Sequence, residues 1–134
     1  MHQTKKIFAV LFFLWLSMLL ILTYYPNFPE LKVRIRHEWF RLDYIGHFGF
    51  YVVLVALFII WQNGYRQKVP GKLLLLTMTG GLVLAALTEL TQLLIPGRTM
   101  NPFDLMYNCL GILAGVGVVI VSAGIKGAGD NMNT

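Results

Sequence analysis

Eight side chains between Asp43 and Asn108 are of types that could do chemistry, and they fall into short groups. Asp43, His47 and Tyr51 are spaced i, i+4, i+8, so a helix carries all three on one face. Glu89 and Gln92 lie one turn apart, and Asp104 and Asn108 lie one turn apart further on. Between these pairs comes a Pro96-Gly97-Arg98 turn. Carboxylates with an imidazole can act as general base and acid, which makes Glu89, His47 and Asp104 the catalytic candidates. Amides, a phenol and an arginine can equally hold a polar or anionic group without reacting. All eight are therefore candidates for binding a ligand.

Each group has a competing structural role. Asp43 stands where a helix begins and can serve as its N-cap. His47, about one turn inside, can be a satisfied structural group. Asn101-Pro102-Phe103-Asp104 reads as a helix start, with Asn as cap, Pro at the first helical position and Asp three residues after the cap. Glu89 differs. It precedes Pro96 by seven residues, hence about 10 Å along a helix at 1.5 Å per residue. No capping role reaches that deep, and a side chain this short snorkels poorly, so its burial points to a partner and a site.

The elements that carry these residues follow from the charge pattern. The chain has 134 residues, 57% hydrophobic and 13% charged. No charge falls between Lys6 and Glu30, between Asp43 and Arg66, or between Asp104 and Lys126, and Glu89 alone interrupts the run from Lys72 to Arg98. About 20 apolar residues cross a bilayer core. The chain thus reads as all-α and polytopic, one membrane domain over 1–134 with spans near 7–24, 44–63, 73–95 and 104–125. The first run follows a short basic segment, as in a signal peptide, but it is long for one and lacks a small-residue cleavage site, so it reads as an uncleaved helix. Gly80, Gly81, Ala85 and Ala86 offer the third span a small-residue face, and Gly111 and Gly115 give the fourth a Gly-x-x-x-Gly spacing.

The connection from Glu30 to Leu42 is the longest. Leu31, Val33 and Ile35 alternate with Lys32, Arg34 and Arg36, as in a strand, while Leu31, Ile35, Trp39 and Leu42 also share a helical face. A lone strand has no sheet to join, so a short interfacial helix among lipid headgroups is expected here.

Four spans place the first and third connections on the same side of the membrane. The starts of the second and fourth spans and the end of the third then meet near one leaflet, gathering Asp43, His47, Glu89, Gln92, Asp104 and Asn108 in one polar chamber. The net charge of +5 is no nucleic-acid signal, because the basic residues flank apolar runs. The lone Cys109 excludes an intrachain disulfide and a paired-cysteine metal motif. No metal and no cofactor is expected. The oligomeric state is left open.

The ordered set Asp43-x-x-x-His47-Phe48-x-x-Tyr51-x-x-Leu54, Glu89-x-x-Gln92-x-x-x-Pro96-Gly97-Arg98 and Asp104-x-x-x-Asn108-x-x-Gly111-x-x-x-Gly115 resembles the VanZ-like membrane proteins, over Asp43 to about Val118. The resemblance implies a bacterial four-helix protein of the cell (inner) membrane, in a family whose founding member is linked to teicoplanin resistance. Two positions depart from the family pattern: Tyr44 stands where a Lys is usual, and Thr88 where an Asp often precedes the Glu.

Three functions suit this chamber. It can bind a membrane lipid or a lipid-linked cell-wall precursor and so alter glycopeptide susceptibility. It can act as a hydrolase or transferase on a lipid-linked substrate. It can also serve a proton-coupled transporter or a flippase. Orientation rests on the short Lys-bearing connections, which place both termini in the cytoplasm. A reporter fused after Thr134 should accordingly score as cytoplasmic; an external score reverses the orientation.

Overall fold

A computed structural model describes residues 2–26, 32–35, 38–64 and 68–132. Four helices, α1 (His2–Tyr24), α2 (Asp43–Asn63), α3 (Gly71–Gln92) and α4 (Pro102–Met132), run in chain order. Each contains a stretch long and apolar enough to cross a membrane: Gln3–Tyr24, Asp43–Asn63, Gly71–Gln92 and Pro102–Gly124. The helix boundaries have local causes. The Gly64 N–H closes α2 by donating to the Ile60 carbonyl at 2.7 Å, with Gly64 in the left-handed region at φ +66°. Pro70 precedes α3 in an extended conformation. Asn101 caps α4, its Oδ1 accepting the Phe103 N–H at 3.1 Å, as the Asn-Pro-x-Asp pattern requires.

The third span ends three residues earlier than expected. Beyond Gln92 the chain tightens, and the N–H groups of Leu93, Leu94 and Ile95 each donate to the carbonyl three residues back. Arg98 N–H then closes on Ile95 O at 3.1 Å, across Pro96 and a Gly97 at φ +78°. Pro followed by a positive-φ Gly is the chemistry of a type II turn.

The expected interfacial helix is absent among the described residues, which form a hairpin instead. Strand β1 (Lys32–Ile35) pairs antiparallel with β2 (Glu38–Arg41), Val33 opposite Phe40 and Arg34 opposite Trp39. The alternation of Leu31 to Arg36 is a strand signal after all. Its partner lies a few residues further along the same connection, so the strand is not alone. Glu30, Leu31 and Arg36, part of that expectation, lie outside the described residues.

Packing is inverted relative to a water-soluble domain. Leu94 is 79% exposed and Ile21 65%, whereas Glu89 is 1% exposed and Asn108 1%. Exposed apolar faces on all four helices suit a lipid surround. Lipid tails supply little hydrophobic drive between helices, so close van der Waals fit must hold them together. The α2–α4 contact is the most extensive. A Cβ on Gly111 would lie 2.4 Å from the Phe48 carbonyl oxygen, and one on Gly115 2.8 Å from that of Val52. The Gly-x-x-x-Gly spacing thus lets α4 rest directly on the α2 backbone. On α3, Ala85 is fully buried and Gly81 faces Ile112, while Gly80 faces open space. At the other end of the bundle, Lys5 Nζ donates to the Gln62 carbonyl at 3.2 Å, fastening the start of α1 to the end of α2.

Gly111→Ala should destabilise the protein by about 2 kcal/mol or more through this overpacking. Gly117→Ala, where nothing lies within 4 Å, should leave stability unchanged within about 0.5 kcal/mol. Denaturation of the two variants in detergent measures the difference.

Candidate functional site

At the end of the bundle shared by the hairpin and the α3–α4 turn, the helix ends line a half-open cavity of about 290 Å³. Asp43, His47 and Tyr51 face it from α2, Glu89 and Gln92 from α3, Asp104 and Asn108 from α4, and Arg98 from the turn. Leu19, Leu22 and Thr23 of α1 close the remaining side. The structure therefore brings all eight sequence candidates to one space.

Asn108 is the centre of the polar network. Its Nδ2 donates to Glu89 Oε1 at 3.1 Å, which leaves its Oδ1 as an acceptor. That oxygen lies 3.1 Å from His47 Nδ1, which donates to it. The other nitrogen, Nε2, faces Asp104 Oδ2 at 3.6 Å. Asp104 Oδ1 accepts from Asn101 Nδ2 at 2.9 Å, so Asp104 serves the α4 cap and faces the chamber at once. Glu89 Oε1 also lies 4.0 Å from His47 Nδ1. Among the described residues, its second oxygen, Oε2, accepts no hydrogen bond although it is buried.

One expected role changes. Asp43 does not cap α2: it is the first helical residue, Leu42 occupies the cap position without a side-chain bond, and the Asp43 carboxylate is taken by Arg41. Arg41 ends β2, so the hairpin delivers the cation to the start of the helix. Asn108 has one hydrogen bond at each end of its amide. Arg98 Nη2 donates to the carbonyls of Leu22 and Thr23 at 2.7 and 3.1 Å, which anchors its guanidinium against the C-terminal end of α1. Cations are favoured there by the helix dipole.

Arg41 and Thr88 are the site residues that sequence reasoning missed. Thr88 Oγ1 donates to Ala85 O at 2.9 Å and so accepts from Tyr51 Oη at 3.1 Å. Its place beside Glu89, one face of α3 turned inward, was the available signal. Tyr44, the other departure from the family pattern, lies under the Arg41 guanidinium at 5.1 Å and stacks on Tyr107 at 4.9 Å between ring centroids. An aromatic platform there takes the place of a charge.

His47, Glu89 and Asp104 each offer one ligand atom within 4.8 Å of the others, a spacing that can hold a metal ion. A proton, a cation or a hydrogen-bonding ligand could each occupy such a group.

Four lipid-compatible helices around a polar cavity define a multi-pass membrane protein. The family model described as VanZ/LLP1 matches residues 3–123, nearly the whole chain, and the chain belongs to that family. No curated protein and no solved structure matches it.

Asn108→Leu would leave the buried Glu89 carboxylate and His47 Nδ1 without their shared partner. It should cost about 3 kcal/mol, the range for stranding a charged buried group. Tyr51→Phe removes one hydroxyl whose acceptor, Thr88, keeps its own bond to Ala85; it should cost only about 1 kcal/mol. Chemical denaturation of both variants in detergent ranks them.

Proposed function

We propose that this chamber binds the polar headgroup of a membrane lipid or a lipid-linked cell-wall precursor, and that the protein alters glycopeptide (teicoplanin) susceptibility in this way. On this reading 1–134 is one VanZ-like membrane domain in the bacterial inner membrane, with both termini in the cytoplasm. The observation that carries the proposal is a buried carboxylate oxygen, Glu89 Oε2, at a polar cavity, with no hydrogen bond of good geometry among the described residues and the Asn101 backbone N–H as the hydrogen-bond donor acting on the carboxylate beside Asn108. Such an acceptor is costly unless something donates to it. A headgroup hydroxyl or amine has that chemistry.

Size and access support the same reading. Ligand pockets for small molecules run from roughly 300 Å³ upward, so about 290 Å³ suits a headgroup-sized moiety. The apolar helix surfaces around the cavity suit the attached lipid chain. Glu89 would accept from the headgroup, and Gln92, 2% exposed in the wall, would hydrogen-bond it. Arg98 contributes positive charge for a phosphate. Its position is set by α1, through the Leu22 and Thr23 carbonyls, and not by a described bond to Glu89.

Native mass spectrometry of the purified protein, with phosphatidylglycerol and with a polyprenyl-pyrophosphate-linked saccharide, tests the proposal. The wild type should retain one of the two, and Glu89→Gln and Arg98→Ala should each weaken retention about tenfold, equivalent to roughly 1.4 kcal/mol. The same substitutions should remove any shift in teicoplanin susceptibility that the wild type confers on a susceptible host. Equal retention by all three proteins overturns the reading.

A further inference from the structure

We propose that His47, Glu89 and Asp104 hold a divalent cation of the Mn²⁺ or Zn²⁺ type in the chamber wall. The inference deepens the reading of the chamber as a binding site and rests on it, but the cation can be measured alone.

The argument begins with the imidazole. Asn108 Nδ2 is committed to Glu89, so Asn108 Oδ1 accepts from His47 Nδ1. The other ring nitrogen, Nε2, lies 3.6 Å from Asp104 Oδ2, too long for a hydrogen bond. That distance is close to the separation of two donor atoms sharing one cation. With metal–ligand bonds of about 2.0–2.2 Å, neighbouring ligands lie roughly 3–3.5 Å apart. Glu89 adds a carboxylate oxygen as third ligand atom, all three lying within 4.8 Å of one another, and its buried Oε2 accepts no hydrogen bond of good geometry among the described residues.

The surrounding groups are those a metal site needs. A metal-bound histidine is oriented by a partner at its other ring nitrogen, and its carboxylate co-ligands are hydrogen-bonded in turn. Here Asn108 orients His47, and Asn101 holds the second oxygen of Asp104. The three ligands come from α2, α3 and α4, so one cation would tie three helices together. Charge is compatible with a cation. Arg41, paired with Asp43, and Arg98, anchored on α1, act on Asp104, and Arg98 also acts on Glu89. The described ion-pair contacts that reach Glu89 and Asp104 both come from His47. A cation held between two buried carboxylates would offset part of the cost of burying them. One nitrogen and two oxygens suit Mn²⁺ or Zn²⁺ better than Mg²⁺ or Ca²⁺, which prefer oxygen alone. Three protein ligands leave coordination positions open toward the cavity, where a headgroup oxygen could bind.

The full-length protein, purified in detergent, stripped with chelator and kept free of added lipid, should be titrated with MnCl₂ while the free-ion electron paramagnetic resonance signal is followed. ZnCl₂ is then used as competitor. The expected result is one site per chain, with spin-echo modulation from a single imidazole nitrogen. His47→Gln and Asp104→Asn should each weaken Mn²⁺ at least tenfold, whereas Cys109→Ser should bind as the wild type does. Substoichiometric binding by the wild type overturns the proposal, as does a bound ion without nitrogen modulation, whatever the variants do. So does a nitrogen NMR spectrum in which His47 is the same doubly protonated imidazolium before and after metal addition. Repeating the headgroup retention measurement with chelator present separates the two ideas: retention there with no metal binding here leaves the headgroup reading standing and removes the cation.

Discussion

The rest of the structure depends on how closely α4 can approach α2. Gly111 and Gly115 place the α4 backbone against the carbonyls of Phe48 and Val52, at distances no side chain would allow. That approach brings Asn108 within hydrogen-bonding distance of His47 and sets Asp104 opposite the other side of the ring. The bonds involved are short-ranged. Were α4 held off by the width of a methyl group, the imidazole would lose its partners, and Glu89 would lose the coherence of the wall that holds it.

The helices satisfy many of their polar groups internally, by two devices. Hydroxyls fold back on their own helix: Ser17 donates to Phe13, Thr77 to Leu73, Thr91 to Leu87 and Ser122 to Val118, each one turn earlier. A hydroxyl spent in this way is still an acceptor, and Thr91, with Thr88 bonded back to Ala85, is used so across the bundle. Thr88 receives Tyr51 from α2, and Thr91 receives Tyr24 from α1 at 2.8 Å. Trp15 adds a bond from α1 to the Phe50 carbonyl of α2 at 2.9 Å. Lipid offers no substitute for these bonds, so they contribute to which helix meets which as well as to stability.

Much of this arrangement was legible in the residues. Uncharged runs gave four spans, and connectivity alone sent six polar groups to one leaflet. The depth of Glu89 below Pro96 implied burial, and Asn101-Pro102-x-Asp104 implied the cap. What was not legible has physical causes. Runs apolar on every face carry little information about helix rotation, so the partners of Asn108 and Thr88 could not be chosen in advance. The hairpin was missed because a strand signal means little until its partner is found, and Glu38–Arg41 lacks a strong alternation of its own. Arg41 followed from that error: read as part of a basic interfacial helix, it had no reason to meet Asp43.

A single residue, Leu42, separates the end of β2 from the start of α2. Arg41 on one side of it grips Asp43 on the other and covers Tyr44, which is itself stacked on Tyr107 of α4. Through that one-residue junction the hairpin, the first turn of α2 and Tyr107 of α4 are tied together one helical turn from the imidazole, so the register of the small sheet and the start of α2 are fixed jointly.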